Sequence, residues 1–122
     1  MLIKGPASPK LCNRLINEFG LESVEVNTKT FPDNELYVSL KGDVGGEDCY
    51  LVHTTYPNKS LIQMFFIQDA LWENGANSVH IIAPYYGYAR QDQKFEKGEA
   101  VSARAIAQRI QIGADSFYSV DL

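Results

Sequence analysis

The sequence predicts an α/β domain, a mostly parallel sheet with helices on both faces. Three observations carry the prediction. Short apolar runs of strand length alternate with longer stretches at helical spacing. Glycine or proline punctuates the transitions, at Gly5-Pro6, Gly20, Gly45-Gly46, Gly75, Pro84 and Gly113. The run Val79–Ala83 is apolar at nearly every residue, as a strand buried on both faces requires. The order strand, helix, strands, helix, strand, helix, strand is that of a sheet layered between helices.

Met1 to Lys4 suits a short first strand that Gly5-Pro6 ends. Ser8 is placed to cap a helix, with Pro9 at the first helical position, where a missing N–H costs nothing. Leu11, Leu15, Ile16 and Phe19 recur at helical spacing, and Gly20 terminates the run. Val24 to Val26 centres a second strand. Pro32 holds Phe31 extended and Asp33-Asn34 is turn chemistry. Leu36, Val38 and Leu40 then alternate with Tyr37 and Ser39, the pattern of a half-buried strand. Cys49 to His53 forms the next strand. Asn58 is the candidate N-cap of the longest helix, whose apolar set is Leu61, Ile62, Phe65, Phe66, Ala70 and Leu71. After Val79–Ala83 comes a polar segment, then a helix face of Ala103, Ile106, Ala107 and Ile110 stopped by Gly113. Phe117 to Val120 reads as the start of a last buried strand, two residues before the sequence stops. That position predicts a fragment of a longer protein.

With 122 residues the chain is one domain in length. Its net charge of −4 argues against a general nucleic-acid or membrane-surface binder. Cys12 and Cys49 are too few and too far apart for a disulfide scaffold or a zinc site. They read as reduced, near-core residues of a cytoplasmic protein. No stretch approaches the roughly 18 apolar residues of a spanning helix.

Two polar stretches ask for more than packing. Pro84 to Arg104 leaves the carboxyl end of a strand, where open α/β sheets bind ligands. Within it, Arg90-Gln91-Asp92-Gln93-Lys94 reads either as a solvated loop or as a ligand grip. In the second reading Arg90 stacks on a base or forks onto phosphate, Gln91 bonds sugar or phosphate, and Lys94 adds a point charge. Phe31-Pro32-Asp33-Asn34-Glu35 is either a surface turn or an adenine contact, Phe31 offering a flat face and a carboxylate accepting from the exocyclic amine. His53 and His80 lie in or beside apolar strands and read as structural. Asp121 follows an apolar strand, a common place for a metal or sugar ligand. No Walker A run, GxGxxG, HExxH or GxSxG is present.

Phe31-Pro32-Asp33-Asn34-Glu35, Pro84-Tyr85-Tyr86-Gly87-Tyr88-Ala89-Arg90-Gln91-Asp92, Val101-Ser102-Ala103-Arg104 and Gly113-Ala114-Asp115 through Val120-Asp121-Leu122 stand in an order that resembles the N-terminal half of ribose-phosphate pyrophosphokinase, or phosphoribosyl pyrophosphate (PRPP) synthetase. The resemblance implies a phosphoribosyltransferase-like fold, with residues 1–122 as the ATP-recognition domain of a longer, two-domain protein. It implies pyrophosphate transfer from ATP to the C1 hydroxyl of ribose 5-phosphate, giving PRPP and AMP, with Mg²⁺ required. Phe31 and Arg90 would face the adenine, with Asp33, Asn34 and Glu35 contributed across the interface of a homo-oligomer. Gln91 and Asp92 would continue the ATP site, and Asp121 would match a magnesium-associated residue. Asn34 stands where the family usually has Gly, and Gln93 replaces a frequent basic residue. The sequence stops where the family continues with a metal-binding His and a second domain, so the chain alone is expected to be inactive. A non-catalytic, nucleotide-binding or assembly homologue is the alternative. A type I phosphoribosyltransferase ranks lower, since its acidic pair and small-residue loop are absent.

Overall fold

The computed structural model describes residues 1–119. Its elements are β1 (Leu2–Lys4), α1 (Pro9–Phe19), β2 (Ser23–Thr30), β3 (Leu36–Leu40), β4 (Asp48–Val52), α2 (Asn58–Glu73), β5 (Ser78–Ala83), α3 (Ser102–Ile112) and β6 (Ser116–Ser119). Among the described residues the strands form one sheet in the order β3-β2-β1-β4-β5-β6. Every neighbouring pair is parallel except β2 and β3, which form an antiparallel hairpin.

Chain order and sheet order together place the helices. From β1 the chain steps outward through α1 to β2, whereas from β4 it steps the other way through α2 to β5 and α3 to β6. Right-handed crossovers in opposite directions put α1 on one face and α2 and α3 on the other. Alternation along the strands agrees. Ile3 and Leu51 join the larger core with Met64, Ile67, Leu71 and Ile110, while their neighbours Leu2 and Val52 join a smaller one with Cys12. The expected mostly parallel sheet with helices on both faces is what forms.

The helix ends show where local chemistry and packing diverge. Gly20 closes α1 at φ 62°, the left-handed conformation that a Cβ disfavours, and donates its N–H to Ile16 O. Ser8 does precede α1, but its hydroxyl makes no capping bond. Asn58 is not the N-cap of α2. The helix begins at Asn58 itself, Pro57 holds the cap position, and the Asn58 Oδ1 instead accepts the Tyr88 hydroxyl.

The buried face of α2 also differs from the expected one. Leu61, Met64, Ile67 and Leu71 point inward, but Ile62 and Phe66 are 40% and 43% exposed. Apolar residues lie on more than one side of this helix, so spacing alone selects no single stripe, and packing against the sheet decides. Gln68 is buried and donates its Nε2–H to Ile110 O at 2.8 Å. Trp72 Nε1–H donates to Gly113 O at 2.9 Å, so α2 side chains satisfy carbonyls at the end of α3. The β2–β3 hairpin leans over α2, where Leu36, Tyr37 and Val38 line a groove with Phe66, Asp69 and Ala70.

Both cysteines are free and buried. Cys12 Sγ lies 3.8 Å from Val52 O, and burial pushes both thiols up from their ordinary range. Among the described residues no helix is long and apolar enough to cross a membrane.

Candidate ligand site at the carboxyl ends of the strands

The chain reverses its direction across the sheet between β1 and β4, the switch point outside which doubly wound sheets bind ligands. Four loops open at this end, after β1, β2, β4 and β5. Gly5 follows β1 so closely against β4 that a Cβ there would lie 2.5 Å from His53 Nδ1 and 2.6 Å from Val52 O.

His53 is fully buried beside it. Its Nε2 contacts Ser60 O at 2.8 Å, so the neutral ring carries its proton on Nε2 and donates it. Nδ1 is left buried without a partner. Burial lowers the pKa to about 4, with the Ser60 carbonyl opposing the shift. The histidine is structural, as its apolar setting predicted. A consequence follows for acid stability. The folded ring stays neutral while the unfolded ring protonates below about pH 6.5. Stability is therefore full above pH 6.5 and falls as pH drops toward 4, by about 2–3 kcal/mol at pH 4.5. Urea unfolding at pH 7.5 and 4.5 measures this, and a His53→Gln chain should show a shallower loss. An identical loss in both chains would rule out His53 as a source.

The β4 and β5 loops are tied together by residues that sequence reasoning missed. Thr54 Oγ1–H and Thr55 Oγ1–H both reach Tyr85 O, at 3.2 and 3.4 Å, and Gly87 N–H donates to Thr55 Oγ1 at 2.7 Å. Threonine side chains at a strand end carry no periodic signal. A Cβ at Gly87 would make a tight approach, 3.1 Å, to the Tyr56 Cβ.

The segment from Pro84 onward has a fixed backbone and free side chains. Tyr86 is buried, packs edge-on against Phe117 at 5.6 Å and donates its hydroxyl to Ala103 O. Tyr88 bonds Asn58 at the start of α2. Gln91 N–H donates to Tyr88 O at 2.9 Å, and its carbonyl accepts from Ala103 N–H at 3.0 Å. The chain is thus pinned on both sides of Arg90. The side chains of Arg90, Gln91, Asp92 and Lys94 are exposed, and no ion pair holds any of them among the described residues.

The Phe31–Glu35 turn is equally ordered. Phe31 N–H donates to Glu35 O and Asn34 N–H to Phe31 O, both at 2.8 Å. Asn34 sits at φ 72°, the left-handed geometry that asparagine tolerates. Asp33 Oδ1 accepts the Glu35 N–H at 3.0 Å, which holds the Asp33 carboxyl below its ordinary range. Phe31 is 44% exposed, its ring edge-on to Tyr37 at 6.0 Å.

The structure does not join these two loops. They leave β2 and β5, with β1 and β4 between them. Three interstrand spacings amount to about 14 Å. No hydrogen bond or ion pair links them among the described residues. Nor do three His, Cys, Asp or Glu side chains gather into a metal site among those residues. Asp121, the residue the resemblance associates with magnesium, lies outside them.

A reversing, mostly parallel sheet with helices on both faces defines an α/β domain of the doubly wound class. Residues 1–112 match the family described as the N-terminal domain of ribose phosphate pyrophosphokinase, and the chain belongs to that family. The ribose-phosphate pyrophosphokinase of Methanobrevibacter smithii is 38% identical across 100% of this chain, which spans 42% of that protein. That of Streptomyces coelicolor is 37% identical across 100% of the chain and 39% of its own length. The crystal structure of phosphoribosylpyrophosphate synthetase from Mycobacterium smegmatis superimposes with a TM-score of 0.92 at 32% identity, covering 100% of this chain and 42% of that one. A purine phosphoribosyltransferase from Pyrococcus horikoshii, 13% identical with a TM-score of 0.50, shares the fold alone. The chain spans about two-fifths of the length of the ribose-phosphate pyrophosphokinase relatives it matches.

Proposed function

We propose that this chain is the ATP-recognition domain of a ribose-phosphate pyrophosphokinase, a cytoplasmic enzyme of nucleotide biosynthesis. The observation that carries the reading is the Pro84–Asp92 segment. Its backbone is pinned through Tyr86, Tyr88 and Gln91, yet Arg90 is exposed at the carboxyl end of the sheet with no ion-pair partner among the described residues.

In this reading Arg90 covers one face of adenine and Phe31 of a second copy covers the other. Asp33 stiffens the turn through its bond to the Glu35 N–H, and Glu35 accepts from the adenine amine. Gln91, Asp92 and Lys94 run on toward sugar and phosphates, and Asn34 lets the turn backbone approach the base. In the longer protein, ATP would pass pyrophosphate to the C1 hydroxyl of ribose 5-phosphate, with Mg²⁺ supplying charge stabilisation for the phosphates. The 122-residue chain would bind nucleotide without performing that transfer.

The carboxylate gives the test. Guanine presents a carbonyl where adenine presents an amine, so a fixed Glu35 should repel one and pair with the other. A charge-assisted hydrogen bond of about 1.5–3 kcal/mol corresponds to roughly tenfold or greater preference for ATP over GTP. Titration calorimetry of the assembled protein should show it, and Glu35→Gln should narrow the gap. Equal affinity for both nucleotides in the unmodified protein would sink the reading.

A further inference from the structure

Arg90 lies in a short unit of two overlapping turns. Ala89 N–H donates to Tyr86 O at 3.1 Å and Gln91 N–H to Tyr88 O at 2.9 Å. Neighbouring elements hold this unit at three points. Gly87 N–H donates to Thr55 Oγ1 at 2.7 Å, in the loop after β4. The Gln91 carbonyl accepts from Ala103 N–H at 3.0 Å, in the first turn of α3. Between them the Tyr88 hydroxyl donates to Asn58 Oδ1, on the first residue of α2. Among the described residues it is the one tie that a side chain of the Gly87–Gln91 run makes to another element.

We propose that Asn58 and Tyr88 are positioning residues, a clasp that sets the direction in which Arg90 meets a nucleotide. The inference rests on the reading of Arg90 as a nucleotide contact and adds to it two residues that touch no ligand in that reading. An asparagine at a helix start ordinarily caps the free N–H groups of the first turn. Here Pro57 holds the cap position, and α2 has no side-chain cap bond. The Asn58 amide is turned instead to a tyrosine thirty residues further along the chain. It serves the Arg90 segment, not its own helix.

Three fixed points define the orientation of a rigid unit, whereas two define only an axis. With the clasp open, the bonds at Gly87 and Gln91 remain, and the turn tilts about the line between them, carrying Arg90. Ala89 packs against the core, but a methyl contact is non-directional and resists such a tilt weakly. Asn58 is exposed, so opening the clasp exchanges a bond to tyrosine for one to water, and the fold loses little. The bond therefore acts on direction more than on folding. A guanidinium without a set direction has to be ordered when the ligand arrives, and that ordering is subtracted from binding.

ATP titration calorimetry paired with urea unfolding tests the clasp. Tyr88→Phe and Asn58→Leu should each weaken ATP binding by roughly threefold to tenfold, with an unchanged urea midpoint. The double variant should bind no more weakly than either single one, since both open the same bond. In an Arg90→Ala background Tyr88→Phe should bring no further loss, because the clasp acts through Arg90. Asn58→Asp keeps an acceptor oxygen. It should bind adenosine, which has no phosphates for the added charge to repel, as the unmodified protein does, whereas Asn58→Leu should not. Unchanged ATP affinity in Tyr88→Phe and Asn58→Leu, beside a loss in Arg90→Ala, would overturn the clasp and leave the nucleotide reading standing. A Tyr88→Phe loss that persists without Arg90, or that comes with a lowered midpoint, would overturn the clasp too. Unchanged affinity in Arg90→Ala would remove both.

Discussion

Replacing Arg90 with alanine should lower the ATP affinity of the assembled protein by roughly 10- to 100-fold and leave its unfolding midpoint unchanged. The size of the loss reflects two contacts that a guanidinium makes at once, stacking on the base and charge-assisted bonding, together worth about 1.5–3 kcal/mol. The unchanged midpoint follows from the structure. The Arg90 side chain is exposed and has no ion pair among the described residues, and the bonds that pin its segment come from Tyr86, Tyr88, Gln91 and Ala103. Calorimetry for binding and urea titration for stability check the two halves separately. If the midpoint fell with affinity retained, Arg90 would be a structural residue and the solvated-loop reading would be the correct one.

Gly5→Ala should act in the opposite way, through the fold rather than the ligand. The added methyl would meet Val52 O at 2.6 Å and His53 Nδ1 at 2.5 Å. Neither obstacle is a flexible tip. One is the backbone of the neighbouring strand, and the other belongs to a fully buried ring. Relief requires β1 and β4 to part at the centre of the sheet, at a cost of about 3 kcal/mol. The urea midpoint should fall by roughly 1–2 M. Gly20→Ala is the useful contrast: φ is 62° there, but nothing stands within 4 Å, so the cost is about 1 kcal/mol from backbone geometry alone. Equal midpoints for the two variants would mean that the close approach at Gly5 relaxes freely.

Much of this fold could be read from the residues because the apolar spacing changes cleanly between strands and helices. Val79–Ala83, the Pro9 start and the Gly20 stop of α1 needed no tertiary knowledge. What could not be read depends on contacts distant in sequence. Leu36, Val38 and Leu40 indicate half-burial but not that their strand leans over α2. Ile62 and Phe66 share the composition of the buried face of α2, and only packing separates them from Leu61, Met64 and Ile67. At the site, the Pro84–Asp92 motif gave the location of Arg90 directly. The Thr54 and Thr55 ties to Tyr85 were invisible, since they join positions about thirty residues apart with no periodicity. The separation of Phe31–Glu35 from Arg90 is a property of strand order, which no local pattern encodes.

The bonds from α2 to the end of α3 bear on how the domain opens. An isolated helix of 11 residues is marginal in water. Ile110 O accepts from Gln68 on α2 as well as from the Gly113 N–H, and Gly113 O, just past the helix, accepts from Trp72 on α2. These two bonds exist only while α2 and α3 are docked, so docking adds to the stability of the end of α3. In hydrogen-exchange terms the two helices form a single cooperative unit, and protection at the C-terminal end of α3 should rise and fall with that of α2.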